Sequence, residues 1–208
     1  RGAKVAFIAT RGFRDILFMQ RHDRRSIYDL RYAKPVPPVR RRDCFEVTER
    51  LDARGDIVLP LDEAEVVHTL IPALAAGGYA AVAICLLSSY ASPVHEMRLA
   101  ELIGAALPGI RIAPSHAIAP EFREYERAST AVLSAYVQPV IDGYLDRFAE
   151  RLAGAGFTGR FSVMQSNGGR LPALAMRRNA ITALFSGPAA GVVGAIRQAS
   201  RSGRGDLI

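Results

Sequence analysis

Residues 164–169 read MQSNGG, and they constrain the fold because small and polar residues directly follow an apolar run. The apolar residues 161–164 predict a strand, and the residues after it predict a tight turn. Glycine lets a backbone approach a ligand closely, and side-chain amides add hydrogen-bond donors. Asn167, Gly168 and Gly169 are therefore candidate binding residues at the end of a strand.

A second glycine-rich segment, residues 186–195 (SGPAAGVVGA), predicts a helix. Ser186 suits the N-cap position, and Pro188 suits the first turn. Gly187, Gly191 and Gly194 stand at i, i+4 and i+7, so they share one face of this helix. Because glycine lowers helix propensity, such a bare face indicates a close neighbour, either a packed backbone or a nucleotide.

The composition indicates a folded chain with a substantial core, since half of its 208 residues are hydrophobic. No apolar run reaches the length of a membrane span, and no apolar signal core opens the sequence. Cys44 and Cys85 have no partner spacing, which predicts a reduced, cytoplasmic protein without a disulfide framework. The four histidines are too dispersed to suggest a metal site, and His68 and His95 are predicted on helix surfaces.

The net charge of +7 reflects 27 Lys and Arg residues, of which only Lys4 and Lys34 are lysines. Arginine clusters are scattered, and acidic residues lie close to most of them. Nucleic-acid binding requires a continuous basic face with interleaved aromatic side chains. We therefore expect an arginine-rich solvated surface, with neither nucleic acid nor membrane as a partner.

Strand-like and helix-like patterns alternate, which predicts an α/β fold with a mainly parallel sheet and flanking helices. Strands 3–10 and 80–87 are predicted in one sheet because both are apolar on both faces. Shorter strands are predicted at 110–113, 161–164 and near 181–185, and helices at 62–76, 94–107, 121–153 and from 186 onward.

Turn and capping residues refine this outline. Residues 45–51 and 57–59 flank the turn-like sequence ARGD, which predicts a hairpin. Asp62 is predicted to cap the following helix, and Pro72 to kink or shorten it. Either Pro139 or the nearby Gly143 would break the long helix.

Several short motifs, in order along nearly the whole chain, resemble the hydantoinase A / 5-oxoprolinase family. Each motif alone is modest, whereas the ordered set is very specific. That family comprises ATP-dependent cyclic-amide hydrolases and related subunits of ketone carboxylases. The motifs are TRGFRD at 10–15, YDL at 28–30, ERLD at 49–52, PLDE at 60–63, CLLSSYASPVHE at 85–96, PEFREYERAST at 120–130 and the two glycine-rich segments.

The resemblance implies part of an actin/Hsp70/sugar-kinase-like ATPase fold. Family members hold the triphosphate with two Asp-x-Gly-Gly-Thr loops and a Gly-Thr-Thr helix, which this sequence lacks. Relatives carry them just before the segment that starts here at Arg1 and just after the strand that begins here at Gly205. We therefore expect an internal fragment. Its regions are 1–30, the first strand and loop of the ATPase-type domain; 31–61, an Arg/Pro-rich connection and hairpin; and 62–208, an α/β region.

The resemblance also implies a function for the parent protein, an ATP-dependent hydrolase that opens a cyclic amide of the hydantoin or 5-oxoproline type. Phosphorylation of the carbonyl would create a leaving group, and water would open the ring. The parent would use ATP and Mg²⁺, whereas this chain alone would neither bind ATP tightly nor hydrolyse it. A hydantoinase B-like subunit or domain is the expected protein partner.

Two alternatives stay open at this point. The parent could be the ATPase subunit of an acetone- or acetophenone-type carboxylase. The chain could also be a non-catalytic truncated domain that only binds a partner subunit.

Arg11, Arg14 and Asp15 are candidate substrate-binding residues, because ligands in open α/β sheets bind beyond the carboxyl ends of strands. The alternative is a structural loop anchored by Phe13. Asn167 and Gly168 would then line the same concavity as Arg11 or Arg14.

Arg123 and Glu124 are further substrate-side candidates, on the resemblance of their motif. The alternative is a solvated helix face with a Glu124–Arg127 pair, and no acid or base is assigned. The resemblance assigns the cofactor-binding role to a set in the two glycine-rich segments: Asn167, Gly168, Gly169, Ser186 and Gly187.

The chain departs from the family pattern at three positions. Many relatives have His, Glu and Asn where Ser88, Ala117 and Ser134 stand. If these residues touch substrate, the substrate would differ from hydantoin or 5-oxoproline.

Overall fold

The computed structural model describes residues 2–21, 26–177 and 179–205, and these form two compact units. The units are Arg1–Pro139 and Val140–Ile208, with the boundary inside a long helix. The strand predicted to begin at Gly205 falls largely on residues 206–208, outside the described ones. None of the described helices combines the length and apolar character needed to cross a membrane.

A four-stranded parallel sheet forms the centre of the first unit. Its strands are Cys44–Val47, Val5–Thr10, Ala81–Cys85 and Arg111–Pro114, in that order across the sheet, and every neighbouring pair is parallel. Strands predicted at 3–10 and 80–87 are therefore confirmed as members of one parallel sheet. The strands of this unit are β1 (Val5–Thr10), β2 (Cys44–Val47), β3 (Arg50–Leu51), β4 (Ile57–Leu59), β5 (Ala81–Cys85) and β6 (Arg111–Pro114).

The predicted hairpin is correct only in its distal part. β3 pairs with β4 in an antiparallel ladder, but residues Cys44–Val47 join the parallel sheet beside β1. The reason is burial. Cys44 and Val47 are both buried against the core of the sheet, whereas in a hairpin arm they would be exposed to solvent.

Helices cover both faces of this sheet. One face packs against small residues of the helix Glu124–Gly154. The other packs against the helices Ile71–Gly77 and Val94–Ala106 and the helical segment Val66–Leu70. Both cores are tightly filled, because the central strands β1 and β5 are buried along their whole lengths. The helices are α1 (Ile16–Met19), α2 (Glu63–Glu65), α3 (Ile71–Gly77), α4 (Val94–Ala106), α5 (Ser115–Ile118) and α6 (Glu124–Gly154).

The helical segment after Asp62 has the N-cap that its sequence predicts. The Asp62 side chain accepts a hydrogen bond from the backbone N–H of Glu65 at 2.9 Å, which confirms the cap. A π-helical segment, Val66–Leu70, precedes α3, and Pro72 lies in the first turn of α3. Because proline lacks an N–H, a change of hydrogen-bonding pattern just before it is expected.

The predicted break in the long helix is wrong, since α6 continues through Pro139 and Gly143. Proline removes one intrahelical hydrogen bond at a cost of about 3 kcal/mol. Burial offsets this cost, because residues on both sides of Pro139, such as Ala135 and Leu145, are buried.

The second unit begins within α6 and contains a short antiparallel hairpin of β7 (Ser162–Met164) and β8 (Arg170–Pro172). Its other helices are α7 (Ala173–Met176) and α8 (Ser186–Arg201). The strand predicted near 181–185 is wrong, because Ala180–Ala183 form a 3₁₀ turn. Ser186 is the first helical residue rather than the N-cap, a position that Phe185 occupies in a left-handed conformation.

Candidate functional site

A cavity of about 440 Å³ opens in the first unit, between the loop that follows β1 and the start of α6. Parallel sheets bind ligands beyond the carboxyl ends of their strands, and this loop leaves the carboxyl end of β1. The residues around it include Phe13, Asp15, Ile16, Gln20, Arg123 and Glu124. Of the residues predicted on the substrate side, Asp15, Arg123 and Glu124 therefore meet at one cavity.

The loop wall is fixed by bonds to the proline-rich segment that follows it in sequence. Arg41 donates two hydrogen bonds to the Asp15 carboxylate, at 2.6 and 2.8 Å. These bonds hold the pKa of Asp15 below its ordinary value of 3.8, and the charge of Arg14 adds to the effect. Gln20 donates to the carbonyl of Pro35 at 2.7 Å. The loop therefore has a defined shape without a ligand.

Backbone strain is concentrated at this cavity. Gln20 and Arg123 have φ values of 53° and 84°, and both line the cavity. Side chains rarely adopt these left-handed conformations, and residues held in them cluster at binding sites. One strained residue lies in each wall.

Arg127 anchors the helix wall to the sheet. Its guanidinium is buried, and it donates from Nη2 to the carbonyl of Leu86 at 2.6 Å. Its Nε lies 3.5 Å from the Cys85 sulfur, and Nη1 has no partner among the described residues. The interpretation of this motif as a solvated helix face is therefore wrong for Arg127, although the predicted Glu124–Arg127 ion pair is present. The Glu124–Arg127 separation is 4.0 Å, too long for a hydrogen bond.

The carboxylates around the cavity differ in whether a cationic side chain lies close to them. Asp15 is paired with Arg41, and Glu126 forms a close ion pair with Arg21. The carboxylate of Glu124 has only the 4.0 Å contact with a cation, and its side chain is 34% exposed. Glu124 is therefore the lining carboxylate with oxygens open to a ligand.

Arg11 and Arg14 are not among the residues lining the cavity. Arg11 donates to the Thr48 hydroxyl at 2.8 Å and forms an ion pair with Glu65. These contacts tie the end of β1 to its neighbours. Phe13 is not a core anchor either, since it lines the cavity and stays 37% exposed.

A buried polar network links the carboxyl ends of β1 and β5. The Thr10 hydroxyl donates to Glu49 and accepts from the backbone N–H of Leu87 at 2.9 Å. The other Glu49 oxygen lies 2.7 Å from Nδ1 of His95. His95 is 5% exposed, so its predicted surface position is wrong, whereas His68 is exposed as predicted.

Glu96 forms a second buried network at the same edge of the sheet. Its carboxylate accepts from the backbone N–H of Leu86 and from the hydroxyls of Ser89 and Ser115, at 2.6–2.9 Å. It also accepts from the backbone of His116 and contacts Nδ1 of its ring. Burial alone would raise the pKa of Glu96, but these hydrogen bonds hold it below its ordinary value of 4.5.

The network residues were missed in the sequence, although one signal was present. Glu96, Leu99 and Ile103 stand at i, i+3 and i+7, and all three are buried on one face of α4. A carboxylate in an apolar stripe predicts buried donors around it. The identity of those donors depends on contacts with β5 and α5 that no local pattern reveals.

Both thiols are poor nucleophiles. Burial raises the pKa of Cys44 to about 12 and that of Cys85 to about 11. The thiolate is the reactive form, so neither cysteine is suited to covalent catalysis. Among the described residues, no group of three or more His, Cys, Asp or Glu is placed to hold a metal ion.

In the second unit, Asn167, Gly168 and Gly169 lie in the turn between β7 and β8. The Asn167 carbonyl oxygen accepts from the backbone N–H of Gly169 at 2.9 Å, and Gly168 has a φ of 82°. The backbone N–H of Gly168 donates to Gln165. Since these backbone donors are used internally, the amino group of the exposed Asn167 amide is the donor that the turn can offer to a ligand.

The turn and α8 come close together in this unit, as a Cβ built on Gly168 would lie 3.4 Å from Val193. The glycine face of α8 has no such neighbour. A Cβ added at Gly187, Gly191 or Gly194 would meet no described atom within 4 Å. Packing inside the described chain therefore does not explain these glycines.

Some sequence-based expectations remain predictions. A concavity shared by Asn167 with Arg11 or Arg14 would join the two units, and it stays a prediction. Of the three departures from the family pattern, none lines the cavity: Ser88 has a left-handed φ of 56°, Ala117 is exposed, and Ser134 is buried.

Family models match both parts of the chain. The hydantoinase/oxoprolinase N-terminal region matches residues 1–107, and the hydantoinase/oxoprolinase model matches residues 127–208. The chain is 34% identical to caprolactamase subunit alpha of Pseudomonas jessenii over 90% of its own length, which is 27% of that protein.

Solved structures share the fold. The ATP-dependent caprolactamase from Pseudomonas jessenii aligns with 97% of this chain at a TM-score of 0.84 and 33% identity, over 29% of its own chain. A nucleotide-free acetone carboxylase aligns with 97% at a TM-score of 0.82 and 26% identity, over 30% of its own chain. The chain thus spans less than a third of each protein. The matches of the two family models establish that this chain belongs to the hydantoinase/oxoprolinase family.

Proposed function

We propose that the protein containing this chain opens a cyclic amide, using ATP to phosphorylate the amide carbonyl. The supporting observation is the cavity in which Asp15, Arg123 and Glu124 come together beyond the carboxyl end of β1. Its volume of about 440 Å³ lies in the range of small-molecule sites. Similarity to an ATP-dependent caprolactamase, a lactam hydrolase by name, supports the choice of a cyclic amide.

The cavity residues suit a ring that carries one amide. Phe13 and Ile16 offer apolar surface to the ring carbons, while Arg123 offers N–H donors to a carbonyl oxygen. The guanidinium of Arg123 lies 5.1 Å from the Phe122 ring and forms no ion pair among the described residues. Its charge is therefore free to stabilise the negative charge on the phosphoryl group that is transferred to this oxygen.

Residues of the second unit would contribute to nucleotide binding. The exposed glycine face of α8 and the Asn167 amide fit a close approach by a nucleotide. Mg²⁺ would accompany the triphosphate, because magnesium is commonly held through phosphates and one or two carboxylates. A partner subunit is also part of the proposal, since the similar caprolactamase chain is named as a subunit.

Carboxylation of a ketone is the second candidate, and the similarity to acetone carboxylase favours it. The two reactions share one chemical event, because a ketone oxygen can be phosphorylated as an amide oxygen can. They differ in the next reactant, which is water for ring opening and bicarbonate or carbon dioxide for carboxylation.

A substrate panel separates the two candidates. The full-length protein with its partner subunit is mixed with Mg-ATP and either hydantoin, 5-oxoproline, caprolactam, or acetone with bicarbonate. For at least one cyclic amide, we expect release of ADP together with the ring-opened acid that hydrolysis of the amide produces. This reaction should not require bicarbonate. ADP release that depends on both ketone and bicarbonate would instead establish the carboxylase.

A further inference from the structure

We infer that Glu124 is the base that accepts the proton released when the substrate carbonyl is phosphorylated, and that Arg127 positions it. This inference rests on the proposed function and assigns one of its steps to a single carboxylate. It applies to both candidate reactions, because each of them releases a proton beside the carbonyl.

The proton arises from the balance of the step. The amide oxygen attacks the terminal phosphorus of a nucleoside triphosphate, and the bond from that phosphorus to the diphosphate leaving group breaks. The amide nitrogen loses its proton as the C=N bond forms. The products are an imidate phosphate, a nucleoside diphosphate and a protonated base. With a ketone, the proton leaves the α-carbon and a C=C bond forms instead.

Among the residues that the structure describes, three carboxylates line the cavity, and two of them already have a close cationic partner. Both oxygens of Asp15 accept from Arg41, and Glu126 is in a close ion pair with Arg21. Glu124 accepts no side-chain hydrogen bond among the described residues, and its nearest cation is 4.0 Å away. A base needs a lone pair within hydrogen-bond reach of the substrate, and Glu124 is the one of these three carboxylates without a close cationic partner.

Arg127 holds this carboxylate in place by charge and by helix geometry. The two residues are three apart on α6, so their side chains lie on the same face. The guanidinium cannot move toward solvent, because it is buried and bonded to the carbonyl of Leu86 at 2.6 Å. The fixed guanidinium lies 4.0 Å from the Glu124 carboxylate and so restricts where that carboxylate can lie.

The Nη1 group of Arg127 supports a role beyond packing. It is buried and has no hydrogen-bond partner among the described residues. An unpaired buried donor costs stability, and a native protein keeps such a group where it serves a water, an ion, a ligand or a catalytic role. The strained Arg123, four residues earlier in the chain, points to a functional constraint on the same turn.

The decisive variant is Glu124→Gln, which keeps the size of the side chain and removes its basicity. In the full-length protein with its partner subunit, we expect kcat for the best substrate of the panel to fall roughly 10²- to 10⁴-fold. KM should change less than about threefold, because a base acts in the transition state rather than in ground-state binding. Glu124→Asp should recover part of the rate.

Glu121→Gln is the matched control. Glu121 lies in the connection just before α6, is exposed, and does not line the cavity. The control variant should keep the wild-type rate. Circular dichroism and the urea midpoint should be the same for both glutamine variants, which excludes a folding defect as the cause of the loss.

Two further measurements do not depend on the rate of Glu124→Gln. Calorimetry without nucleotide should give the same affinity for the cyclic amide in wild type and in Glu124→Gln. An N-methylated form of the same amide should bind to the wild type without turnover, because it has no N–H proton to release.

A double-mutant cycle tests the positioning role of Arg127. Arg127→Met should lower kcat in the wild-type background. In the Glu124→Gln background, the same substitution should lower kcat little further. Full additivity would contradict the role of Arg127.

The outcomes for Glu124 are distinct from those for the proposed function. A Glu124→Gln enzyme with wild-type kcat, or an N-methylated amide opened at the normal rate, would overturn the inference while ring opening itself stands. A wild-type protein that is inactive toward all substrates of the panel would overturn the proposed function, and the inference with it.

Discussion

Replacing Glu96 by glutamine is expected to destabilise the protein by roughly 2–4 kcal/mol at pH 7. Its carboxylate is fully buried and faces only donors, including the backbone N–H groups of Leu86 and His116. A glutamine must turn its own NH₂ group toward one of these two backbone donors. That donor then loses its partner inside the core, where water cannot replace it.

The same variant should also change how the free energy of unfolding depends on pH in the acidic range. Hydrogen bonds hold the pKa of Glu96 below 4.5 in the folded protein, despite burial. A lowered pKa contributes stability that is fully present above pH 4.5 and is lost as pH falls through the folded value. The difference in the free energy of unfolding between wild type and Glu96→Gln should therefore become smaller below pH 4.5.

Urea unfolding at pH 7 and at pH 3.5–4.5 measures both effects. Glu101→Gln is the control, because Glu101 lies on the same helix but pairs with Arg98 at the surface. Its urea midpoint should equal that of the wild type. A Glu96→Gln midpoint equal to wild type would show that the buried network does not stabilise the fold.

Thr10→Val is expected to have an effect of similar size, roughly 2–4 kcal/mol. The two side chains have the same shape, so the core stays filled. The hydroxyl of Thr10 serves two buried partners, the Glu49 carboxylate and the backbone N–H of Leu87. Valine leaves one Glu49 oxygen and the N–H of Leu87 unsatisfied in the core, and unsatisfied buried groups are costly.

Thr10→Ser separates the hydroxyl from the methyl group. Serine keeps both hydrogen bonds and loses one buried methyl, so we expect a loss of about 1 kcal/mol. If Thr10→Val and Thr10→Ser have equal urea midpoints, the hydroxyl does not stabilise this edge of the sheet.

The central sheet could be predicted from the sequence because its signal is local. Strands buried on both faces are continuous apolar runs, and β1 and β5 are such runs. The order of the strands and the position of β2 beside β1 were harder to predict from the sequence. Cys44–Val47 is short and precedes a hairpin, so only its tertiary contacts separate it from that hairpin.

The errors at Pro139 and at residues 181–185 have a common origin. In each case the local sequence preference is overridden by the surrounding structure. Burial along α6 offsets the missing hydrogen bond at Pro139. The apolar run near 181 resembles a strand, but its residues instead form a 3₁₀ turn whose Thr182 carbonyl accepts from the backbone of Ser166.

The candidate site was predicted in its parts but not as a cavity. Asp15 was a candidate because its loop follows a predicted strand, whereas Arg123 and Glu124 were candidates because their motif resembles that of the family. The sequence could not show that Arg11 turns away toward Thr48 and Glu65. It also could not show that Arg127 is buried, because a charged residue in a polar motif normally predicts exposure.

The most direct test of the account is where the carbonyl substrate binds. We propose a crystal structure of the full-length protein with its partner subunit, a cyclic amide and a non-hydrolysable ATP analogue with Mg²⁺. The account predicts the ring in the cavity beside Phe13, with its amide nitrogen within hydrogen-bond distance of Glu124. An amide bound elsewhere, with this cavity empty, would contradict the account.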